Sequence, residues 1–406
     1  MRITNCHSLE LNDCQNFDEL SSLIDRIEKA VDANIFHLNN GTISHGWLGA
    51  SMFYFYYAQF KREAHFSEKA EIYLSKALKH SSYKYYENKY PTDSYDANLA
   101  CLGIFLNKAS ENNLLNFDPQ EYLESIEAML HQLCRNKIKF SDFSIFSGAL
   151  ATGNFLLNTS PSENNNILLT QIVNAIEANA ISDDSDGIYW SSPRLYDRIY
   201  LGLSHGSCMI ISFLSDVYAR GLAQEKCKKL INGAINFVLK HKSNNLGEIF
   251  PHFIHEKKLQ AQFTLCYGDL GVGYSLLKAA KILADRSVLK EANEILRACN
   301  SIKFESMLTF DASITYGASG IALLYERLAR LEPKNLEYWR AYQYWMEVIP
   351  RYSLSENSYC GFQSHFATES DIFNLSYDWG IMGIGITLMR YLDGSLPDME
   401  GISRGI

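Results

Sequence analysis

His45-Gly46-Trp47-Leu48-Gly49 opens a phrase that this chain repeats: a glycine, two residues, a second small residue, then an apolar run. Copies stand at Ser147-Gly148-Ala149-Leu150-Ala151, His205-Gly206-Ser207-Cys208-Met209 and Tyr267-Gly268-Asp269-Leu270-Gly271. Two more follow at Tyr316-Gly317-Ala318-Ser319-Gly320 and Trp379-Gly380-Ile381-Met382-Gly383, and Met209 is the one bulky ending. A weaker copy, Leu99-Ala100-Cys101-Leu102-Gly103, fills the widest gap. The last positions of the phrase lie about 50–60 residues apart, the mark of a repeat architecture. A unit of about 55 residues cannot bury its own apolar face, so neighbouring units must stack.

After each turn, apolar residues recur at helical spacing, as in Met52, Phe55, Tyr56 and Phe60, or Ile321, Leu324 and Leu328. Between the turns lie more polar, amphipathic segments, at 68–79, 119–133, 227–240 and 290–298. This alternation places very apolar helices in an inner ring and amphipathic ones outside. The expected fold is all-α, an α/α toroid of seven inner and seven outer helices, every inner helix starting at one mouth. Polar and Gly/Pro clusters mark loops at 39–41, 160–164, 182–187 and between Ser243 and Gly247, and a β-like piece is expected over 248–254. No linker or low-complexity stretch interrupts the pattern, so residues 1–406 read as a single domain.

The 406 residues are 47% hydrophobic, enough for a large core. A net charge of −9 argues against a nucleic-acid partner. The N-terminal Met1-Arg2-Ile3-Thr4-Asn5-Cys6 begins no apolar signal segment, and no apolar run approaches membrane-spanning length, so no integral membrane segment is expected. Nine scattered cysteines read as reduced thiols of a cytoplasmic protein.

The repeat also points to the chemistry. Seven helix N-termini at one mouth favour anions such as thiolates, carboxylates and enolates. The residue before each glycine would face that mouth: His45, Ser147, His205, Tyr267, Tyr316 and Trp379, with Cys266 one position further back. Gly103 and Ala151 read instead as sites of close helix packing. His45 suits loop packing as well as substrate contact, and Asp96, Asp269 and Asp378 suit helix capping.

Leu265-Cys266-Tyr267-Gly268-Asp269-Leu270-Gly271 resembles the Trp-Cys-Tyr-Gly-Asp-Pro-Gly of the lanthionine synthetase C-like (LanC-like) family, the cyclases of lanthipeptide biosynthesis. Leu201-Gly202-Leu203-Ser204-His205-Gly206 resembles the same family's Leu-Gly-Leu-Ala-His-Gly, and the other turns fit its Gly-rich repeats over about 40–395. The resemblance implies an α/α toroid and a Michael-type addition. In that chemistry two Cys and one His hold zinc with one open position. A Cys of the precursor peptide binds there as thiolate and attacks a dehydroalanine or dehydrobutyrine, while a His moves a proton to the enolate. A precursor peptide and a lanthipeptide dehydratase are the implied partners.

Carried over residue by residue, Cys266 stands at the first zinc-ligand position, His205 at the proton-transfer His, and Tyr267 at the Tyr that follows the Cys. Thr315 and Tyr316 stand where the remaining Cys-His pair belongs. Gln262 replaces a usual Arg, and Ser144 a usual Asp, with Asp142 two residues before it. His45, Gln262 and Asp269 complete the set as candidate substrate-binding residues. The expectation is a toroid that binds a dehydrated precursor peptide and has lost the family metal, with no cofactor. One alternative is an active cyclase, either metal-free or with zinc rebuilt from His205, Cys208 and Cys266, and Cys360 and His365 within reach. The other is an α/α-toroid glycosidase or epimerase, which would need opposed carboxylates from among Asp96, Asp269 and Asp378.

Overall fold

The computed structural model describes residues 14–82, 94–245, 248–256, 261–354, 357–365, 371–398 and 401–402. The expectations for Met1–Cys6 and Gly247 lie outside these residues. In chain order the helices are α1 Cys14–Asn34, α2 Trp47–Lys61, α3 Ala64–Lys79, α4 Tyr95–Glu111, α5 Gln120–Lys139, α6 Ala149–Leu157, α7 Glu163–Ala178 and α8 Ser207–Ala219. They continue as α9 Gln224–Lys240, α10 Asp269–Leu283, α11 Arg286–Asn300, α12 Ala318–Leu331, α13 Leu336–Val348, α14 Asp371–Leu375 and α15 Ile381–Leu392.

Two kinds of helix alternate because two kinds of sequence do. Every residue of α2 from Leu48 to Ala58 is buried, as a helix enclosed on all sides requires. In α11 the buried residues are Ala292, Ile295, Leu296 and Cys299, a single stripe, with Asp285 capping the first turn through Ser287 N and Val288 N. Among the described residues, α2, α4, α6, α8, α10, α12 and α15 form the inner ring. Six outer helices, α3, α5, α7, α9, α11 and α13, each pack on the inner helix before them. The seventh, α1, comes from the start of the chain and packs on α15, which closes the toroid.

Glycines set the closeness of the ring. A Cβ on Gly103 of α4 would lie 2.5 Å from the Phe155 ring of α6, and one on Gly153 would lie 2.5 Å from the Phe213 ring of α8. Gly385 of α15 meets Phe53 of α2 in the same way, and Phe55 and Phe105 join α2 to α4 with centroids 5.9 Å apart.

The six strong copies of the phrase behave as expected: Gly46, Gly148, Gly206, Gly268, Gly317 and Gly380 are the N-caps of inner helices. The weak copy does not. α4 starts earlier, at Ser94, whose hydroxyl accepts from Ala97 N, and Gly103 lies inside the helix where Phe155 needs room. A hydroxyl cap has replaced the glycine turn, so the glycine pattern misplaced this boundary. The β-like expectation over 248–254 also shifts. The strand pair is Ile181–Ser182 with Ile188–Tyr189, and Phe253 forms only an isolated bridge to Tyr200.

The chain after α15 runs under the far end of the ring. Tyr56 Oη donates to Pro397 O at 2.7 Å, Arg327 grips Asp398 with two bonds of 3.0 and 3.1 Å, and Arg330 also pairs with Asp398. Burial alone would raise the Asp398 carboxyl, but Arg327, Arg390 and Arg330 hold it well below the usual range. Asn154 Nδ2 then bonds Gly401 O at 2.7 Å, and Ile402 is fully buried.

Gly268, in its turn, and Gly320, in the first turn of α12, leave no room for a side chain. Gly268 has φ +110° and lies against Gln262 O, and Gly320 lies against Ile314 O. Gly268→Ala and Gly320→Ala are each expected to lower unfolding free energy by about 1–3 kcal/mol in urea titrations. Gly394→Ala, with nothing within 4 Å, should stay within about 0.5 kcal/mol of the parent.

Candidate functional site

Four of the glycine turns are closed by their own backbone. The N–H of the first helical residue bonds the carbonyl six residues before the glycine: Trp47 to Asn40 at 2.8 Å, Ala149 to Asp142 at 2.8 Å, Ser207 to Tyr200 at 3.1 Å and Ala318 to Asp311 at 3.0 Å. The turns then bond one another around the mouth. Cys266 N donates to Thr315 O at 3.4 Å, Thr315 N to Asp378 O at 3.0 Å, and Tyr377 N to Ser44 O at 3.1 Å. The Ser44 hydroxyl also bonds the Asp378 carboxylate.

This collar gathers an arc of rings. His205 lies 5.1 Å from Phe146, 5.9 Å from Tyr200 and 6.2 Å from Tyr267, measured between centroids. Tyr267 continues the arc to His252 at 4.9 Å and Tyr316 at 6.3 Å, and Tyr316 to His365 at 6.4 Å. His205, Tyr267 and Tyr316 are half-buried, while Cys266 beneath them is buried. His205, Tyr267, Cys266 and Tyr316 therefore come together.

Burial lowers the His205 imidazole to about 4, so the ring is neutral at pH 7. Its Nδ1 is buried and has no hydrogen-bond partner among the described residues. Burial pushes the Tyr267 and Tyr316 phenols far above their ordinary value, so neither ionises at neutral pH.

A tightly held zinc needs three or four ligands of Cys, His or carboxylate type. Cys266 supplies one. The Thr315 hydroxyl is committed to Asp378 O at 3.0 Å, and Tyr316 offers only a neutral phenol. Cys208 is fully buried inside α8 with its thiol pushed up to about 12. Among the described residues no group of three His, Cys, Asp or Glu side chains is placed to hold a metal ion. The residues present do not fit the family's zinc site.

The other candidates are held in the scaffold. Asp269 is buried at the start of α10, and its carboxylate accepts from Ile249 N at 3.2 Å and Phe250 N at 3.0 Å; burial raises it to about 6. His45 packs 4.6 Å from Trp379 and 5.2 Å from Phe373. Gln262 lies in the turn before Gly268 with Oε1 buried and without a partner among the described residues. Asp142 takes Ser144 N at 3.2 Å and Ser147 Oγ at 3.2 Å, with Arg194 at 3.8 Å. Asp96 faces Lys137 at 3.4 Å, so Asp96, Asp269 and Asp378 are each engaged by a different element.

Sequence reasoning did not single out Tyr200, Phe146 or His252 for the site, nor Phe310, which stacks on His365 with centroids 4.3 Å apart. All lie in segments that lead into a glycine turn, and aromatic density in those segments was the available signal.

The low pKa of His205 has a readable consequence. Between pH 6.5 and 4 the unfolded chain takes up a proton that the folded chain refuses, so falling pH favours unfolding. Relative to His205→Gln, the parent should lose up to about 3 kcal/mol as pH drops from 7 to 4. Urea midpoints at several pH values measure the difference, and a His205 ring titrating near 6.5 by NMR would contradict it.

The lanthionine synthetase C-like protein family matches residues 37–402. Comparison with curated proteins finds no match. Among solved structures, nisin cyclase aligns with a TM-score of 0.70 at 14% identity, over 93% of this chain and 94% of that one. At that identity the likeness speaks for the fold, the α/α toroid. No described helix is long and apolar enough to cross a membrane. With the family pattern spanning nearly the whole chain and its turns capping one mouth of a closed ring, this protein belongs to the lanthionine synthetase C-like family.

Proposed function

We propose that this protein acts in the maturation of thioether-containing peptides, receiving a dehydrated precursor peptide at the mouth of the toroid. The carrying observation is the convergence of His205, Tyr267, Tyr316 and Cys266 on a collar of glycine-capped helix starts. Aromatic faces suit a peptide backbone and its unsaturated side chains, and the helix N-termini favour carbonyl oxygens and carboxylates. A dehydratase is the natural second partner, since it makes the alkene. The single-domain reading is supported by ring closure through α1 and α15. The seven cysteines whose side chains are described are all free, in keeping with a cytoplasmic location.

Binding and presentation of the peptide is the favoured version, without a resident metal. A metal-free cyclase is the second reading, and the neutral, unpartnered His205 Nδ1 is what favours it. There His205 takes the thiol proton, sulfur adds to the alkene β-carbon, and the α-carbon of the enolate regains a proton. The proton transfer is unfavourable by roughly four to five pKa units, about 6 kcal/mol, because a base near 4 faces a thiol near 8.5.

Two measurements test this. The dehydrated precursor should bind the parent protein, and mass spectrometry after thiol alkylation should find free Cys no lower than in a no-protein control. Loss of free thiol at a rate cut at least tenfold by His205→Gln would establish the second reading, and absence of peptide binding would sink both. For the metal, the purified parent should carry well under one equivalent of zinc. The Thr315→Cys/Tyr316→His variant, with Cys266 retained, should approach one. A full equivalent in the parent, lost on Cys266→Ala, would overturn the metal-free reading.

A further inference from the structure

The most exposed large apolar side chains of the described residues stand on the face that holds the mouth. Phe36, Phe140, Tyr196, Met307 and Leu354 are 72–82% exposed, and each lies in a segment that runs from an outer helix to a glycine turn. On the outer helices themselves no described large apolar side chain exceeds 57%. One of the five, Tyr196, is joined to the site by a series of contacts.

Tyr196 sits in a strap over 192–198 whose ends pair, Ser192 N donating to Arg198 O at 2.9 Å. The Ser192 hydroxyl donates to His205 O at 3.0 Å, which pins the strap to the His205 turn. Tyr196 and Asp197 both take left-handed backbone, φ 60° and 53°, a conformation unfavourable for residues other than glycine. Arg198 Cζ lies 5.5 Å from the centre of the Tyr196 ring and 4.5 Å from that of Phe253. From Phe253 the contacts run inward to Tyr200 at 5.4 Å, and from Tyr200 to Tyr267 at 6.3 Å. A ladder of rings and one guanidinium thus leads from the rim to the site. Arg198 is exposed, and among the described residues its side chain makes no hydrogen bond and no ion pair, not even with Asp197 beside it. Rings engage a guanidinium by its faces and leave its in-plane N–H donors open, the donors that match the two oxygens of a carboxylate. Burial raises the Tyr267 phenol and the Arg198 charge acts against it, so the field of this cation reaches the site. The nearby Glu256 is already engaged by His252 Nδ1 at 3.3 Å, and Arg194 by Asp142.

We propose, on the reading that the mouth receives a dehydrated peptide, that the peptide lies along this ladder and that Arg198 selects one with an Asp or Glu side chain near its unsaturated residue. The steps from Arg198 through Phe253 and Tyr200 to Tyr267 span at most about 16 Å, roughly four or five residues of extended chain. That length sets the spacing between the carboxylate and the unsaturated residue.

The test uses the full chain and a fluorescein-labelled synthetic peptide with one central dehydroalanine and a Glu four residues to either side of it. A twin peptide carries Gln at both places. In fluorescence anisotropy at low salt the parent should bind the Glu peptide about fivefold or more tightly than its twin, and added sodium chloride should narrow the gap. Arg198→Gln should bind the two peptides alike. Arg198→Glu should reverse the selection and prefer a third peptide with Lys at both places. Circular dichroism checks that both variants fold. Equal affinity of the parent for the Glu and Gln peptides, or a preference that survives in Arg198→Gln, would overturn the proposal and leave the mouth reading standing. Binding of neither peptide by the parent would overturn both.

Discussion

The hydrogen-bonded collar of turns is the constraint on which the rest of this protein depends. Six inner helices begin at a glycine, and in four of these turns the chain folds back onto a carbonyl six residues earlier, which the N–H that follows bonds. Neighbouring turns are bonded from Cys266 through Thr315 and Asp378, and from Tyr377 to Ser44, so they are positioned relative to one another by backbone. Side chains placed by such a collar lose little freedom on meeting a ligand.

The same collar accounts for Thr315 and Tyr316. A Thr at 315 is no vestige in the fold, because its hydroxyl strengthens the bond between the sixth and seventh turns at the place where the family pattern has a ligand. Tyr316 extends the aromatic arc from Tyr267 toward His365. Both side chains are thus engaged in scaffold and ring contacts.

Much of this was legible in the residues. Six glycine phrases at regular spacing reported six inner-helix starts, because a glycine N-cap is a local backbone requirement that leaves a local signature. The second inner helix escaped, since Ser94 performs the capping with a hydroxyl and Gly103 serves ring packing. Cys266, His205 and Tyr267 were named from their turns and do converge. Asp269 was named from its turn as well, yet its carboxylate is occupied by the N–H groups of residues 249 and 250. No pattern in the sequence indicates which way that side chain faces.

By itself, then, the sequence determined the helical repeat, the ring architecture and the mouth at which the turns gather. These are encoded by backbone demands and spacing, which neighbouring residues satisfy among themselves. Tertiary structure alone decided that α1 closes the ring on α15 and that the segment after α15 underlies it. Those contacts join residues far apart in the chain, and their partners are selected by three-dimensional packing, burial and charge pairing once the ring has closed.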